Sequence, residues 1–155
     1  MKIKRGPVVF HNLLKLTDEC LEGEWQTMTL VVRNFVIKNG LYTNAPAFYQ
    51  LEDIEGEPER KLYSIYVPIS SPIELDEEIP MEFIGELKID DALTFRIADP
   101  DTMIEEAYFL LDACADDQGY KLIRPFYHVC FDVFGEQMTD VIAPILLEPN
   151  SVQSE

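Results

Sequence analysis

Long hydrophobic runs, basic residues and cysteines are all scarce in these 155 residues, and each shortage excludes something. No stretch approaches the roughly 20 consecutive apolar residues that a membrane-spanning helix needs. Lys and Arg total 12 against 29 Asp and Glu, a formal charge of -17. Such a surface repels phosphate backbones and anionic lipid heads, so neither nucleic acid nor a membrane is expected as a partner, whereas cations and basic proteins are attracted. The plainest role of that acidity is solubility. Cys20, Cys114 and Cys130 are odd in number and contain no Cys-x-x-Cys pair, which argues against a disulfide framework or a zinc knuckle and reads as reduced thiols in a cytoplasmic protein. His11 and His128 are the only histidines and no ligand cluster accompanies them, so neither a metal nor another cofactor is expected. The N-terminal MKIKRGPVVFHNLL has the charges of a secretory leader. His11 and Asn12 interrupt its apolar stretch, however, and no small-residue cleavage site follows.

What the chain does have is a pattern stated twice. An amphipathic helical segment ends at Gly40 before LYTNAPAFY, and another ends at Gly119 before YKLIRPFYH. Gly40 and Gly119 are 79 residues apart, as are Pro46 and Pro125. Val67-Pro68-Ile69 and Ala143-Pro144-Ile145 then close the two halves at an offset of 76, which makes the second hairpin three residues shorter. Repeats of this kind form a groove where they face one another, and a groove is where a ligand would sit.

The periodicity predicts a strand over 7–16, a helix from about Trp25 to Ile37, a strand over 47–51, a polar loop EDIEGEPERK and a strand over 62–69. Residues 81–97 read as one long bent strand or a hairpin. Asp99 or Asp101 is placed to cap a second helix carrying Met103, Ile104, Ala107, Tyr108, Leu111 and Cys114 on its apolar stripe. Strands over 126–133 and 139–147 close the chain around Phe134-Gly135-Glu136. The expected fold class is α+β: two β-α-β-β repeats, about 7–75 and 80–147, related by a pseudo-twofold, with antiparallel sheets, helices on one side and a central cleft. Together they make one domain over 1–149, followed by a disordered tail at 150–155.

The helix followed by Gly-Leu-Tyr, the proline followed by aromatics, the acidic hairpin, and the closing SIYVPI at 64–69 and TDVIAPI at 139–145 resemble the GyrI-like family, also called the bacterial effector-binding domain. The resemblance covers about residues 7–147. It implies a domain that captures hydrophobic, often cationic, small molecules in an aromatic cleft, here in a stand-alone branch from Gram-positive bacteria without a DNA-reading module. Many members carry a buried acidic residue after the second-half proline. In Pro125-Phe126-Tyr127-His128 that place falls to His128, or to Tyr127 one residue earlier, and an imidazole supplies no fixed negative charge for a cation.

The candidate ligand-binding residues are Phe48, Tyr49, Tyr66, Tyr127 and His128, in a wider set of aromatics that includes Tyr42, Tyr63, Phe126 and Phe131. Strand alternation turns Phe48 and Tyr49 to opposite faces, and likewise Tyr127 and His128, so only half of them can line one cleft. If helices cover one face, the groove takes the other. Core packing accounts for many of these aromatics equally well. His128 reads most simply as a hydrogen-bonded strand histidine and Trp25 as helix packing. No catalytic residue is assigned. The leading function is therefore a non-enzymatic module binding a small apolar or aromatic ligand, with a cationic option. Two alternatives stand beside it: an acidic adaptor for a basic protein partner, and a small-molecule hydrolase of the same family. The hydrolase would need a carboxylate in the groove, for which Glu82, Glu86 and Asp132 are remote candidates.

Overall fold

The computed structural model describes residues 3–99 and 101–147, so the expected tail at 150–155 lies outside the described residues. The elements run β1 (Ile3–Leu21), α1 (Trp25–Lys38), β2 (Phe48–Ile54), β3 (Glu57–Pro68), β4 (Glu82–Ile97), α2 (Ile104–Gln118), β5 (Tyr127–Val133) and β6 (Glu136–Pro144). The order β-α-β-β thus occurs twice. All strand pairings are antiparallel, and they close in the order β1-β3-β2-β5-β6-β4 into a six-stranded barrel. Two pairings join the halves: β1 with β4 along most of its length, and β2 with β5 through Phe48↔Val129 and Tyr49↔His128. The sheets expected for the two halves are therefore one continuous surface.

Alternation along each strand divides the side chains between two faces. On the outer face Leu14, Leu16, Tyr49, Tyr63, Ile65 and Val67 pack under Met28, Val32 and Val36 of α1. Leu93, Phe95, Ile97, Phe126, Val141 and Ala143 likewise pack under Ala107, Leu111 and Ala115 of α2. On the inner face Leu13, Phe48 and Tyr66 meet Phe10, Ile84, Leu87, Tyr127 and Val129. Both helices bury a stripe at i, i+4, i+8, the spacing that repeats on one helical face.

Several strand bounds differ from the sequence expectation. β1 is longer because its two ends serve different partners, β4 from Ile3 to Lys15 and β3 from Leu13 to Leu21. Pro7 lies at the register shift between Gly6 and Val8, a position that tolerates a missing N–H. Much of the segment expected as a polar loop, from Glu57 onward, is instead β3 paired to β2, as in Asp53↔Lys61. Its hydrophilic composition reflects a hairpin with solvent on both sides. Similarly β6 begins at Glu136, because Phe134 and Gly135 both take positive φ and make a two-residue turn.

The expected helix cap at Asp99 or Asp101 is also corrected. The residue at the N-cap is Met103, in extended conformation and without a side-chain cap, while Asp99 accepts the Asp101 N–H in the turn before it. Glu105 and Glu106 place their negative charge in the first turn, where the helix dipole favours it.

The two helices stop alike. Leu41 N–H donates to the Val36 carbonyl at 3.0 Å and Tyr120 N–H to the Ala115 carbonyl at 2.8 Å, with the intervening Gly40 and Gly119 at φ 73° and 78°. A Cβ at either glycine would meet no atom within 4 Å, so only the backbone conformation resists a side chain there. Gly40→Val and Gly119→Val are each expected to lose about 1–2 kcal/mol in chemical denaturation. Two variants that melt with the parent would refute this account of the helix stops.

Candidate functional site

Where the first turns of the two helices approach each other above β2 and β3, the outer face opens into a cavity of about 570 Å³. Its apolar wall is made by Trp25 at the start of α1, Tyr49 and Leu51 on β2, Tyr63 on β3, Ile104 and Tyr108 on α2, and Pro125 with Phe126 ahead of β5. Trp25 lies tilted against Tyr49 at 4.5 Å between ring centroids, Tyr49 stacks on His128 at 4.6 Å, and Tyr63 lies 5.6 Å from Tyr49. Rings that already pack against one another hold the wall in place without a ligand.

The cavity also carries Glu22, Glu52, Asp53 and Glu105 against Lys61 and Arg124. Lys61 is engaged by Asp53 at 2.6 Å and by Glu22 at 3.8 Å, and Arg124 by Asp112 at 2.6 Å. The Asp53 carboxylate raises the Lys61 ammonium above its usual range, and Asp112 does the same for Arg124. Glu105 has no ion pair among the described residues, whereas Glu52 shares the strand parity of Phe48, which turns its side chain away from the face of Tyr49 and Asp53. The cavity therefore keeps a net negative lining beside its aromatic wall.

His128 is fully buried beneath this wall. Its Nδ1 lies 3.1 Å from the Tyr49 carbonyl oxygen and its Nε2 2.6 Å from the Tyr108 hydroxyl. Burial lowers its pKa to about 4, so the ring is neutral at physiological pH. Burial likewise pushes the Tyr108 hydroxyl up to about 12 and raises those of Tyr49 and Tyr63, keeping all three protonated.

The five candidate residues are divided by strand alternation. Tyr49 lines the cavity and His128 stands directly behind it, whereas Phe48, Tyr66 and Tyr127 gather on the inner face of the barrel. There Phe48 stacks on Phe10 and Tyr66, and the Tyr66 hydroxyl donates to Gln50 at 2.6 Å. The expectation that the groove takes the face opposite the helices is thus corrected: the cavity shares their face. On the inner face Leu13, Phe48 and Tyr66 are instead buried against side chains from the surrounding strands. Glu82, Glu86 and Asp132 are not among the lining residues; the carboxylates that are come from the β1–α1 connection, β2 and α2.

Sequence reasoning missed Tyr108 as a site residue by reading it as one more apolar position of a helix. A signal was available. Ala107, Leu111 and Ala115 supply the buried stripe, which leaves the neighbouring tyrosine beside it with a hydroxyl in need of a partner. Trp25, read as packing, both packs and lines the cavity. Among the described residues no group of three or more His, Cys, Asp or Glu is arranged to hold a metal ion, and no helix is long and apolar enough to cross a membrane.

Residues 9–148 match one family model, described as Domain of unknown function (DUF5085). No curated protein matches the sequence. Among solved structures the chain is similar to the EcmrR C-terminal domain, with a TM-score of 0.65 at 15% identity over 96% of this chain and 100% of that one. It spans 57% of the EcmrR chain in the complex with DNA. A protein named as a hydrolase from Listeria innocua superposes with a TM-score of 0.62 at 11% identity, over 94% and 92% of the two chains. SAV2435, solved bound to tetraphenylphosphonium, gives 0.50 at 8% identity over 99% and 98%. At these identities the likeness is one of fold.

Proposed function

Since the chain belongs to the Domain of unknown function (DUF5085) family, which names no activity, we propose from the geometry that it is a binding module for a small aromatic or apolar ligand, with preference for a cationic one. The observation that carries this reading is the coincidence, in one cavity, of the Trp25–Tyr49–Tyr63–Tyr108 wall with the carboxylate of Glu105, which has no ion pair among the described residues. Aromatic faces attract cations through their quadrupoles, and the Glu105 carboxylate supplies the negative charge that His128 lacks. The tetraphenylphosphonium held by SAV2435, a protein of the same fold, supports the ligand class. A cavity of this size is also in the range that small-molecule sites occupy.

Trp25 is the only tryptophan, so its emission reports directly on the cavity. Titration with tetraphenylphosphonium is expected to change that emission saturably. Glu105→Gln should weaken the cation by about 3-fold while leaving neutral triphenylphosphine oxide unaffected, as for a partly exposed charge pair. Absence of saturation up to about 1 mM, the weak limit of specific binding, would sink the reading. Salt separates it from the adaptor alternative: capture between aromatic rings should persist at high ionic strength, whereas docking of a basic protein on the acidic surface should weaken steeply. A hydrolase would be recognised by turnover of the added ligand, which the module reading does not expect.

A further inference from the structure

The hydrogen bonds behind the cavity wall have only one consistent direction. A backbone carbonyl can only accept, so the 3.1 Å contact from His128 Nδ1 to the Tyr49 carbonyl places a proton on Nδ1. His128 is fully buried, and its polar contacts are that carbonyl and the Tyr108 hydroxyl, with no carboxylate to stabilise a second proton. A neutral imidazole protonated on Nδ1 leaves Nε2 as an acceptor, and at 2.6 Å the Tyr108 O–H must donate to it. The Tyr108 oxygen therefore has no proton to give to anything in the cavity it lines, and retains a free lone pair.

The other two hydroxyls of the wall are not constrained in this way. Tyr63 already accepts the Gly23 N–H at 3.1 Å and keeps its own proton available to donate. Tyr49, whose ring is held between Trp25 and His128, keeps a hydroxyl that can rotate to either role. Of the three, only Tyr108 has its polarity dictated from behind.

We infer that Tyr108 is a specificity-determining residue of this cavity: its hydroxyl, with the proton committed to His128, presents a fixed hydrogen-bond acceptor that selects aromatic cations bearing an N–H group over those that bear none. This rests on the binding role proposed above and narrows its ligand class. His128 acts as a positioning residue that sets the polarity of Tyr108 without reaching the ligand, and Glu105, one turn earlier on α2, adds a second acceptor on the same side. A site that offers acceptors discriminates by leaving them unpaired when the ligand lacks a donor.

The test compares two planar cations of similar size, 9-aminoacridinium, which carries N–H donors, and 10-methylacridinium, which carries none, each titrated against the full chain by Trp25 emission. The wild type is expected to bind 9-aminoacridinium about 10-fold more tightly, the scale of one charge-assisted hydrogen bond. Tyr108→Phe, which keeps the ring, should lower the ratio several-fold, whatever it does to the affinity common to both cations, with Glu105 accounting for any preference that remains. If both cations bind and the ratio is the same in wild type and variant, the inference fails and the binding role stands. If neither binds, the binding role fails and the inference with it. Nitrogen-15 spectra of the imidazole give a ligand-free check: a proton on Nδ1 of His128 is expected, and a proton on Nε2 would overturn the inference.

Discussion

Phe48→Ala is expected to lower the unfolding free energy by about 3–5 kcal/mol, the range for removing a fully buried aromatic ring from a packed core. Phe48 is completely buried on the inner face, stacked at 4.2 Å on Phe10 and 4.7 Å on Tyr66, with Tyr127 edge-on at 5.9 Å. Four strands contribute to that cluster besides its own, so the gap left by truncation has walls on several sides and cannot close by one element shifting. For a chain of this length the loss corresponds to a fall in melting temperature of roughly 8–15 °C. Phe48→Leu, which keeps most of the volume, should cost no more than about 1.5 kcal/mol. The pair of variants also separates two roles for this residue. A ring in an open ligand cleft would change affinity on truncation with little effect on stability, whereas a ring in the barrel interior does the reverse. Denaturant unfolding with a loss below about 1 kcal/mol would contradict the interior assignment.

Acidification is expected to destabilise the protein through His128 by about 3 kcal/mol in total. Its folded pKa of about 4 lies below the ordinary value of 6.5, so the unfolded chain takes up a proton that the native state refuses. The stabilising contribution is therefore complete above pH 6.5, declines as the pH falls, and is lost by about pH 4. Roughly 2 kcal/mol should disappear between pH 6.5 and 5, before most carboxylates titrate. Below that range the Asp91 carboxyl, held down by its hydrogen bond to Arg5, adds a loss of its own. The clean observable is the difference between wild type and His128→Gln. The variant should be less stable at pH 7 because Tyr108 loses its acceptor, yet it should show a flatter pH dependence over pH 6.5–5. Parallel curves would mean that His128 is neither buried nor neutral in solution.

Much of this architecture is legible in the residues alone because it depends on local chemistry. A glycine after an apolar stripe stops each helix, since positive φ costs a side chain but not a glycine. The 79-residue offset from Gly40 to Gly119 reappears as Tyr49 pairing with His128 across the β2–β5 seam and as matching bridges, Thr43↔Ile69 and Leu122↔Ile145. Alternation separates Phe48 from Tyr49, and Tyr127 from His128, as period-two geometry requires. Composition, by contrast, conceals the start of β3, because a hairpin wetted on both faces looks like a loop.

What alternation leaves open is which of the two faces is enclosed. That is decided by closure: β1 pairs with β4 and β2 with β5, the barrel turns Phe48, Tyr66 and Tyr127 inward, and the space between the helix starts becomes the cavity. The carboxylates beside it come from segments far apart in the chain, so no local motif announces them. The proton on Tyr108 is fixed by a histidine 20 residues away and, through it, by a carbonyl a further 79 residues distant. Local sequence determines helix ends and strand faces because those are governed by a few neighbouring torsions. The enclosed face, the charge of the cavity and the direction of its hydrogen bonds belong to the tertiary structure, because each depends on groups that meet only when the barrel closes.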